Sequence, residues 1–466
     1  MTTEKKKYTF RKLMNDIHLW LGIGSGIILF IICLTGTIYT FAREITEWMD
    51  HDKYTLSIPE NSQRMSASSL VSSLEKQKSD MKVTNISIPE ESTYAWTMTL
   101  TPKDMLNSNR KEQDKNKDQR GKGNNDKNKE QRGKENSDRA NKDKPKEGAG
   151  KDKKFDRSRI KSYWVNPYTG EILGDSKTPT SQFFSTIMGL HRWLLLEHST
   201  GRLITGSATL IFILIEITGL LLWAPAKLRS WSKWNAWKAG FKIKTDGNWK
   251  RINHDLHNTL GFYTLLLVTV MAITGLCFSF EWWREGFGNV FGAQPFTDKL
   301  GKDLISEYTG GTTVSLDDII AKGNSTFSYS GSIRVSLPRD SSALTIYSKT
   351  QSGFFAAAGV DRVLINQYSG EILATDRFSD KKLGEQIVAM IYPLHVGEIF
   401  GTSTKILYFI ICLIATSLPV TGTIIWINKL RKKSENKSKG KKGTKKSNSS
   451  ANVTFKPKPT TQSTEI

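Results

Sequence analysis

Cysteine is scarce: 466 residues contain three, Cys33, Cys277 and Cys412. All three fall inside apolar runs, so they cannot staple soluble segments and read as small buried apolar residues. No A-x-A-like cleavage site follows the first apolar run, which is also too long for a signal peptide, so it reads as an uncleaved anchor. Acidic residues are nearly absent from the apolar runs, with Glu216 the exception. No nucleophile paired with a general base stands out. Basic charge, by contrast, is in excess, with Lys+Arg 67 against Asp+Glu 45 and a net charge of +22. That excess lies in short flanking segments, a tail and one low-complexity insert. It forms no basic face with interleaved aromatics, which argues against a nucleic-acid partner.

What the chain does have is four long apolar stretches, roughly Leu19–Phe41, Leu203–Trp223, Leu260–Phe280 and Ile406–Ile427. Each supplies the ~20 residues that a helix needs to cross the ~30 Å hydrocarbon layer. Lipid satisfies no free N–H or C=O, so these stretches must be helical. Lys and Arg cluster before the first, between the second and third, and after the fourth, which places those segments in the cytoplasm. The layout is then a basic N-terminus (1–17), a first span (18–41) and an outer domain (42–185). A second span with a preceding His segment (186–224) leads to a Trp-rich basic loop (225–253). The third span (254–281), a second outer domain (282–385) and a fourth span with its His segment (386–428) follow. A tail (429–466), predicted disordered, closes the chain and is basic enough to attract anionic lipid. Gly22, Gly24, Gly26 and Gly36 in the first span would permit close helix contact or the approach of a flat cofactor. Trp48 and Tyr54 read as interface anchors.

The outer domains echo each other. Each begins with a helix-like segment, Ser66–Lys76 and Val314–Ala321. Each continues through Ile86-Ser87-Ile88-Pro89 or Val335-Ser336-Leu337-Pro338. Each then reads strand, tight turn, strand, at 165–173 and 365–373, with Gly170 supplying the positive φ of the first turn. The segment Asn107–Lys154 has almost no apolar residue, cannot bury a core, and is predicted disordered. The whole reads as a duplication of span, outer α+β domain, span. The fold class is membrane α-helical: a four-helix transmembrane bundle from a duplicated unit, with two extracytoplasmic α+β domains.

Histidine carries the clearest chemistry. The stretch Asp16-Ile17-His18-Leu19-Trp20-Leu21-Gly22 is matched by Asp255-Leu256-His257-Asn258-Thr259-Leu260-Gly261, and the distance from His18 to Thr35 equals that from His257 to Thr274. His191 and His395 precede the second and fourth spans in similar register. Ionisable residues at membrane helices are costly and usually functional. Paired imidazoles facing a helix bundle suit axial ligation of haem iron. They suit zinc less well, since no Cys, Asp or Glu completes a tetrahedral set nearby. The candidate ligands are His18, His257, His191 and His395. His254 stands three residues from His257, and His198 seven from His191 on the expectation of one shared helix face, so both remain alternates. Two haems, one near each face, would form an electron path across the bilayer. Arg192, Arg202, Arg251 and Lys405 could pair with propionates or simply snorkel. The [I/L/V]-T-G triplets at Thr35, Thr218, Thr274 and Thr421 read as packing features. Glu216 should face the bundle, where it could serve proton or electron coupling.

Taken together, these motifs resemble the PepSY-associated transmembrane family, often described as iron-regulated membrane proteins. The likeness rests on D-I-H-L-W-L-G at 16–22, G-L-H-R-W-L at 189–194, T-G-L-L-L-W at 218–223, H-D-L-H-N-T-L-G at 254–261, L-H-V-G at 394–397 and T-G-T-I-I-W at 421–426. The two N-x-Y-[T/S]-G-E-I-L turns resemble the PepSY signature. The resemblance implies four spans, two periplasmic PepSY-like domains, two b-type haems and reduction of ferric siderophore iron on the periplasmic side of the inner membrane. Both termini would be cytoplasmic. Some relatives carry a fused flavin reductase domain. Nothing after Lys429 reads as one, so a separate donor is expected, a quinol or a cytoplasmic reductase. The insert Asn107–Lys154 departs from the family pattern. The competing readings are a haem-free membrane scaffold or peptidase regulator, and a transporter accessory.

Overall fold

The sheet outside the spans is continuous across the two halves of the chain. The structure, a computed structural model, describes residues 8–58, 62–106, 157–297, 300–301, 304–308, 310–357 and 359–447. The Asn107–Lys154 insert lies outside the described residues. The helices used below are α1 (Phe10–Tyr39), α2 (Ala67–Gln77), α3 (Pro179–Trp193), α4 (His198–Trp223), α5 (Trp249–Ser279), α6 (Leu316–Thr326), α7 (Ile391–Val396) and α8 (Gly401–Ser447). Four of them, α1, α4, α5 and the Gly401–Glu435 part of α8, are long and apolar enough to cross a membrane. The chain divides into two compact units, one drawn from Met1–Thr37, Ser199–Ala272 and Ile410–Ile466, the other from Ile38–His198 and Ile273–Phe409.

The first unit is helical. Val268, Ile411 and Ala415 are buried at its centre, with Cys33, Phe212, Leu267 and Met271 packed against them. The hydroxyls of Thr37 and Thr416 lie 3.3 Å apart across α1 and α8. Apolar side chains also point outward: Ile27 is 78% and Leu266 74% exposed, as lipid-facing positions of a span should be. Arg11 closes the C-terminal end of α4 by donating to the carbonyls of Ala224 (3.0 Å) and Leu222. A cation there complements the helix dipole. Trp223 stacks on Phe262 at 3.7 Å and donates to the Gly240 carbonyl, which ties the Trp-rich loop back to the helices.

The second unit holds eight antiparallel strands: β1 (Met81–Ile88), β2 (Trp96–Pro102), β3 (Lys161–Val165), β4 (Ile172–Asp175), β5 (Gly331–Ser336), β6 (Thr345–Gln351), β7 (Val360–Ile365) and β8 (Ile372–Asp376). Their order is β4-β3-β2-β1-β5-β6-β7-β8. Two separate outer domains were expected, yet β1 pairs with β5 and makes one sheet. The pairing joins the two segments that echo each other in sequence, with Ile86 opposite Val335. Each of these strands has an unsatisfied edge, and each satisfies the other's. A bulge between Val83 and Asn85 inserts Thr84, so Val83 and Ile86 both face the core. Helices α2 and α6 cover that face through Leu70, Leu74, Leu316 and Ile319.

Both strand–turn–strand motifs form as read. In each, an Asn side chain accepts from the amide two residues on, Tyr168 or Tyr368, and a glycine with φ of 75° (Gly170) or 68° (Gly370) completes the turn. The helices are capped by Ser66 and Ser315, whose hydroxyls accept from Ser69 and Asp318 amides. Asp317 adds a link between the halves: its carboxylate accepts from the amides of Ala67 (2.6 Å) and Ser68 (3.1 Å) and from the Ser68 hydroxyl (2.8 Å). Burial alone would push this carboxyl up, but the Ser68 and Ala67 donors outweigh it and hold it below its ordinary value. A depressed carboxyl contributes stability above its unfolded value, and that contribution is lost as pH falls through the folded value. We expect Asp317→Ala to cost about 1–3 kcal/mol near pH 7, because it orphans the donors it caps. Denaturant unfolding of the full chain in detergent measures it, and the difference from wild type should shrink in acid.

Four expectations change. His191 and His198 do not share a helix face: Leu194 (φ 54°) and Leu195 (φ 57°) turn the chain left-handed and end α3 before α4 begins. The basic segment after Lys429 continues as helix to Ser447, where a disordered tail was expected. Lysine is a good helix former, so propagating an existing helix is cheap. Tyr54 is buried against Tyr94 and Trp164 and is no interface anchor, whereas Trp48 is exposed. Gly22, Gly24 and Gly26 make no close helix contact, since a Cβ at any of them would meet no protein atom within 4 Å.

Candidate functional site: two pairs of histidines

His18 on α1 and His257 on α5 approach within the helical unit, their ring centres 6.2 Å apart and their planes at 81°. Neither ring is free to turn. His18 Nδ1 lies 3.0 Å from the Thr218 hydroxyl and 3.1 Å from the Ile215 carbonyl of α4. A carbonyl only accepts, so Nδ1 carries the proton. The Thr218 hydroxyl gives its own proton to the Leu214 and Ile215 carbonyls, so its oxygen is the acceptor for His18. His257 repeats this on α8. Its Nδ1 lies 2.9 Å from the Thr421 hydroxyl, which donates to the Ser417 and Leu418 carbonyls. Both imidazoles are thereby fixed in the tautomer whose Nε2 holds a lone pair, the form that ligates metal.

The glycine of each triplet makes room for the ring. A Cβ at Gly219 would stand 3.2 Å from His18 Cε1, and one at Gly422 would stand 3.2 Å from His257 Cε1. The Thr-Gly pairs read from sequence as packing features are therefore the sockets of the histidines. Their partners lie 200 and 164 residues away, so no local pattern announces the contact. The available clue was the recurrence of both motifs in register.

The sheet-bearing unit contains the other pair. His191, in the last turn of α3, and His395, in α7, have ring centres 6.2 Å apart at 60°. His395 Nδ1 lies 3.2 Å from the Thr274 hydroxyl. A Cβ at Gly275 would stand 3.0 Å from His395 Cε1, and the Phe278 ring packs edge-on at 5.6 Å. Here too a Thr-Gly pair cradles the imidazole.

The alternates stand apart from both pairs. His254 is exposed and sits 3.5 Å from the Asp255 carboxylate. His198 is exposed at the start of α4, against the Trp193 ring. Of the cations considered, Lys405 is buried and pairs at 2.7 Å with both Glu44 and Glu398. Arg251 pairs at 2.8 Å with Asp255, Arg192 lies over the Trp193 ring, and Arg202 is exposed.

Among the described residues no group of three or more His, Cys, Asp or Glu could hold a metal ion. Each pair offers two imidazole side chains. On either side of His257 in α5, Asn253 Oδ1 and Thr259 Oγ1 are buried without a hydrogen-bond partner among the described residues. Asn253 Nδ2 donates to the Thr421 carbonyl at 3.0 Å, which fixes its free atom as an acceptor one turn before His257.

A family model described as the PepSY-associated TM region matches residues 16–429. A search of curated proteins found no match to the chain.

Proposed function

The chain belongs to the PepSY-associated TM family, and from that premise we propose that it is a di-haem membrane oxidoreductase. It takes electrons from a quinol or a cytoplasmic reductase and delivers them to ferric siderophore iron on the periplasmic side of the inner membrane. The observation that carries this reading is the repeated socket: two imidazole pairs at a ring separation of 6.2 Å, with the His18, His257 and His395 rings held at Nδ1 by span threonines. A ligating histidine donates its other N–H to a nearby acceptor, which fixes the tautomer and strengthens the ligand.

The residues fit a flat macrocycle. His18 and His257 would hold one haem through Nε2, and His191 and His395 the other. Gly22 lies one turn beyond His18 and borders open space that a ring edge can occupy. Bound haem supplies a one-electron carrier whose potential follows its axial ligands and the polarity around it. The chain's own residues do the rest. Thr218 and Thr421 hold the first pair of rings, Thr274 holds His395, and Gly219, Gly422 and Gly275 admit them. Siderophore oxygens hold ferric iron far better than ferrous iron, so one electron per iron is enough to loosen it. In this reading the two halves of the sheet are two PepSY-like modules of a duplicated unit, carried outside the membrane, and the basic segments lie in the cytoplasm.

An optical spectrum of the detergent-purified protein, as isolated and after dithionite, tests the proposal together with pyridine haemochrome quantitation. We expect sharp reduced b-type bands and about two haems per chain, one for each histidine pair. A folded chain without haem overturns the reading and puts the scaffold or peptidase-regulator role first.

A further inference from the structure

Glu216 is the acidic residue within the four apolar runs, and the histidine sockets do not use it. It is 9% exposed. Its Oε2 accepts a hydrogen bond from Thr269 Oγ1 of α5 at 3.1 Å, and its Oε1 is buried with no partner among the described residues. The titratable group that senses it electrostatically is the Cys33 thiol of α1, which also senses the Cys412 thiol of α8. No lysine, arginine or histidine acts on it electrostatically among the described residues. A carboxylate without a cation is expensive in such surroundings. Glu216 also stands on the turn of α4 that holds His18, next to Ile215, whose carbonyl accepts from His18 Nδ1.

The sequence pattern isolates this residue further. The position two before each span threonine is Cys33, Glu216, Ala272 or Pro419. The counterpart of Glu216 in the other half is therefore Pro419, which can carry no proton. The carboxyl breaks the likeness of the two halves at a place where packing alone would have kept an apolar side chain.

Resting on the haem reading above, we propose that Glu216 is the proton-accepting group that balances reduction of the His18/His257 site. The oxidised centre, ferric iron in a dianionic macrocycle, carries one net positive charge. On this proposal that charge would act on Glu216 through the turn of α4 on which Ile215 holds His18. One electron from the quinol or reductase converts ferric to ferrous iron and removes the positive charge. One proton from water then binds at Oε1 and turns the carboxylate into a carboxylic acid. When the electron leaves, the proton leaves. The unit holding both groups returns to the same net charge in each state, so the electron crosses the bilayer interior without leaving an uncompensated charge there. Thr269 is a positioning residue, since its hydroxyl holds Oε2 and leaves Oε1 to the proton.

Redox potentiometry of the full di-haem chain across pH, with infrared difference spectra between oxidised and reduced forms, tests this. In wild type, the midpoint of one haem should fall by up to about 59 mV for each tenfold drop in proton concentration. A protonated-carboxyl band should appear on reduction. Glu216→Gln should make that midpoint independent of pH and abolish the band, while both haems stay bound. Thr269→Val keeps the carboxyl and should retain the pH dependence with a shifted band, which guards against a Glu216→Gln chain that fails to fold. A chain with two haems, pH-independent midpoints and no carboxyl band in wild type overturns this proposal and leaves the haem reading standing. A chain without haem overturns both.

Discussion

On the di-haem proposal, His257→Ala is expected to lower the haem content from about two to about one per chain and to leave the spectrum of the remaining haem unchanged; His395→Ala is expected to do the same to the other site. The double variant holds none. The expectation follows from geometry in which each pair lies within its own unit: His18 with His257, and His191 with His395. A methyl group offers iron no lone pair, and a single remaining imidazole cannot hold the macrocycle from both faces. The surviving haem shows that the chain has folded. His254→Ala and His198→Ala should retain both haems, because those side chains are exposed and belong to neither pair. Pyridine haemochrome quantitation decides between these outcomes. Full haem content in His257→Ala and in His395→Ala would refute the ligand assignment.

The second large expected effect comes from a residue outside the proposed ligand set. Gly422→Val should empty the His18/His257 site as completely as His257→Ala. A Cβ at position 422 stands 3.2 Å from His257 Cε1, and the branched methyls of valine reach further into the ring. The imidazole must then leave its socket, and its Nδ1–H loses the Thr421 acceptor. Thr421→Val is the graded comparison. It keeps the shape of the socket and removes only the 2.9 Å hydrogen bond to His257. Loss of such a supporting bond typically weakens metal binding by roughly 10–100-fold. Haem titration of the two variants should therefore separate complete loss from weakened affinity. Equal affinities for Thr421→Val and wild type would mean that the threonine only packs.

The histidines were legible in the sequence because the two halves repeat their register, as in the matching stretches around His18 and His257. The role of the triplets was not. Thr218 and Thr421 each bond back to their own helix, which is the whole of what a local reading expects of a span threonine. The second bond, to a histidine on another helix, depends on how helices pack, and packing leaves no mark at the threonine itself. The separation of His191 from His198 was hidden for a similar reason. Gly-Leu-His-Arg-Trp-Leu-Leu-Leu contains no helix breaker at its end, and the left-handed residues are two leucines that propensity would keep helical.

Strands were legible from the echoing Ile86-Ser87-Ile88 and Val335-Ser336-Leu337 stretches and from the glycine turns, and the covering helices as the helix-like segments that open each half. Their assembly was not. Both Ile86-Ser87-Ile88 and Val335-Ser336-Leu337 read as one strand of a small domain. Nothing in either predicts that the other is its neighbour, because edge pairing is a backbone property that side chains mark weakly. The same holds for Asp317, whose carboxylate caps a helix far off in the chain.

That seam also sets a clock on biosynthesis. About 240 residues separate the end of β1 from the start of β5, and two spans are made in between. At 5–20 residues per second, β1 waits roughly 12–50 s for its neighbour. Until then one edge of the first half-sheet stays unpaired, and a bare edge is a template for pairing with another chain. Long-range pairing of this kind forms slowly even once the partner exists. The nascent chain is thus most prone to aggregate midway through synthesis, and substitutions that slow translation between the halves should lower yield without touching the stability of the finished protein.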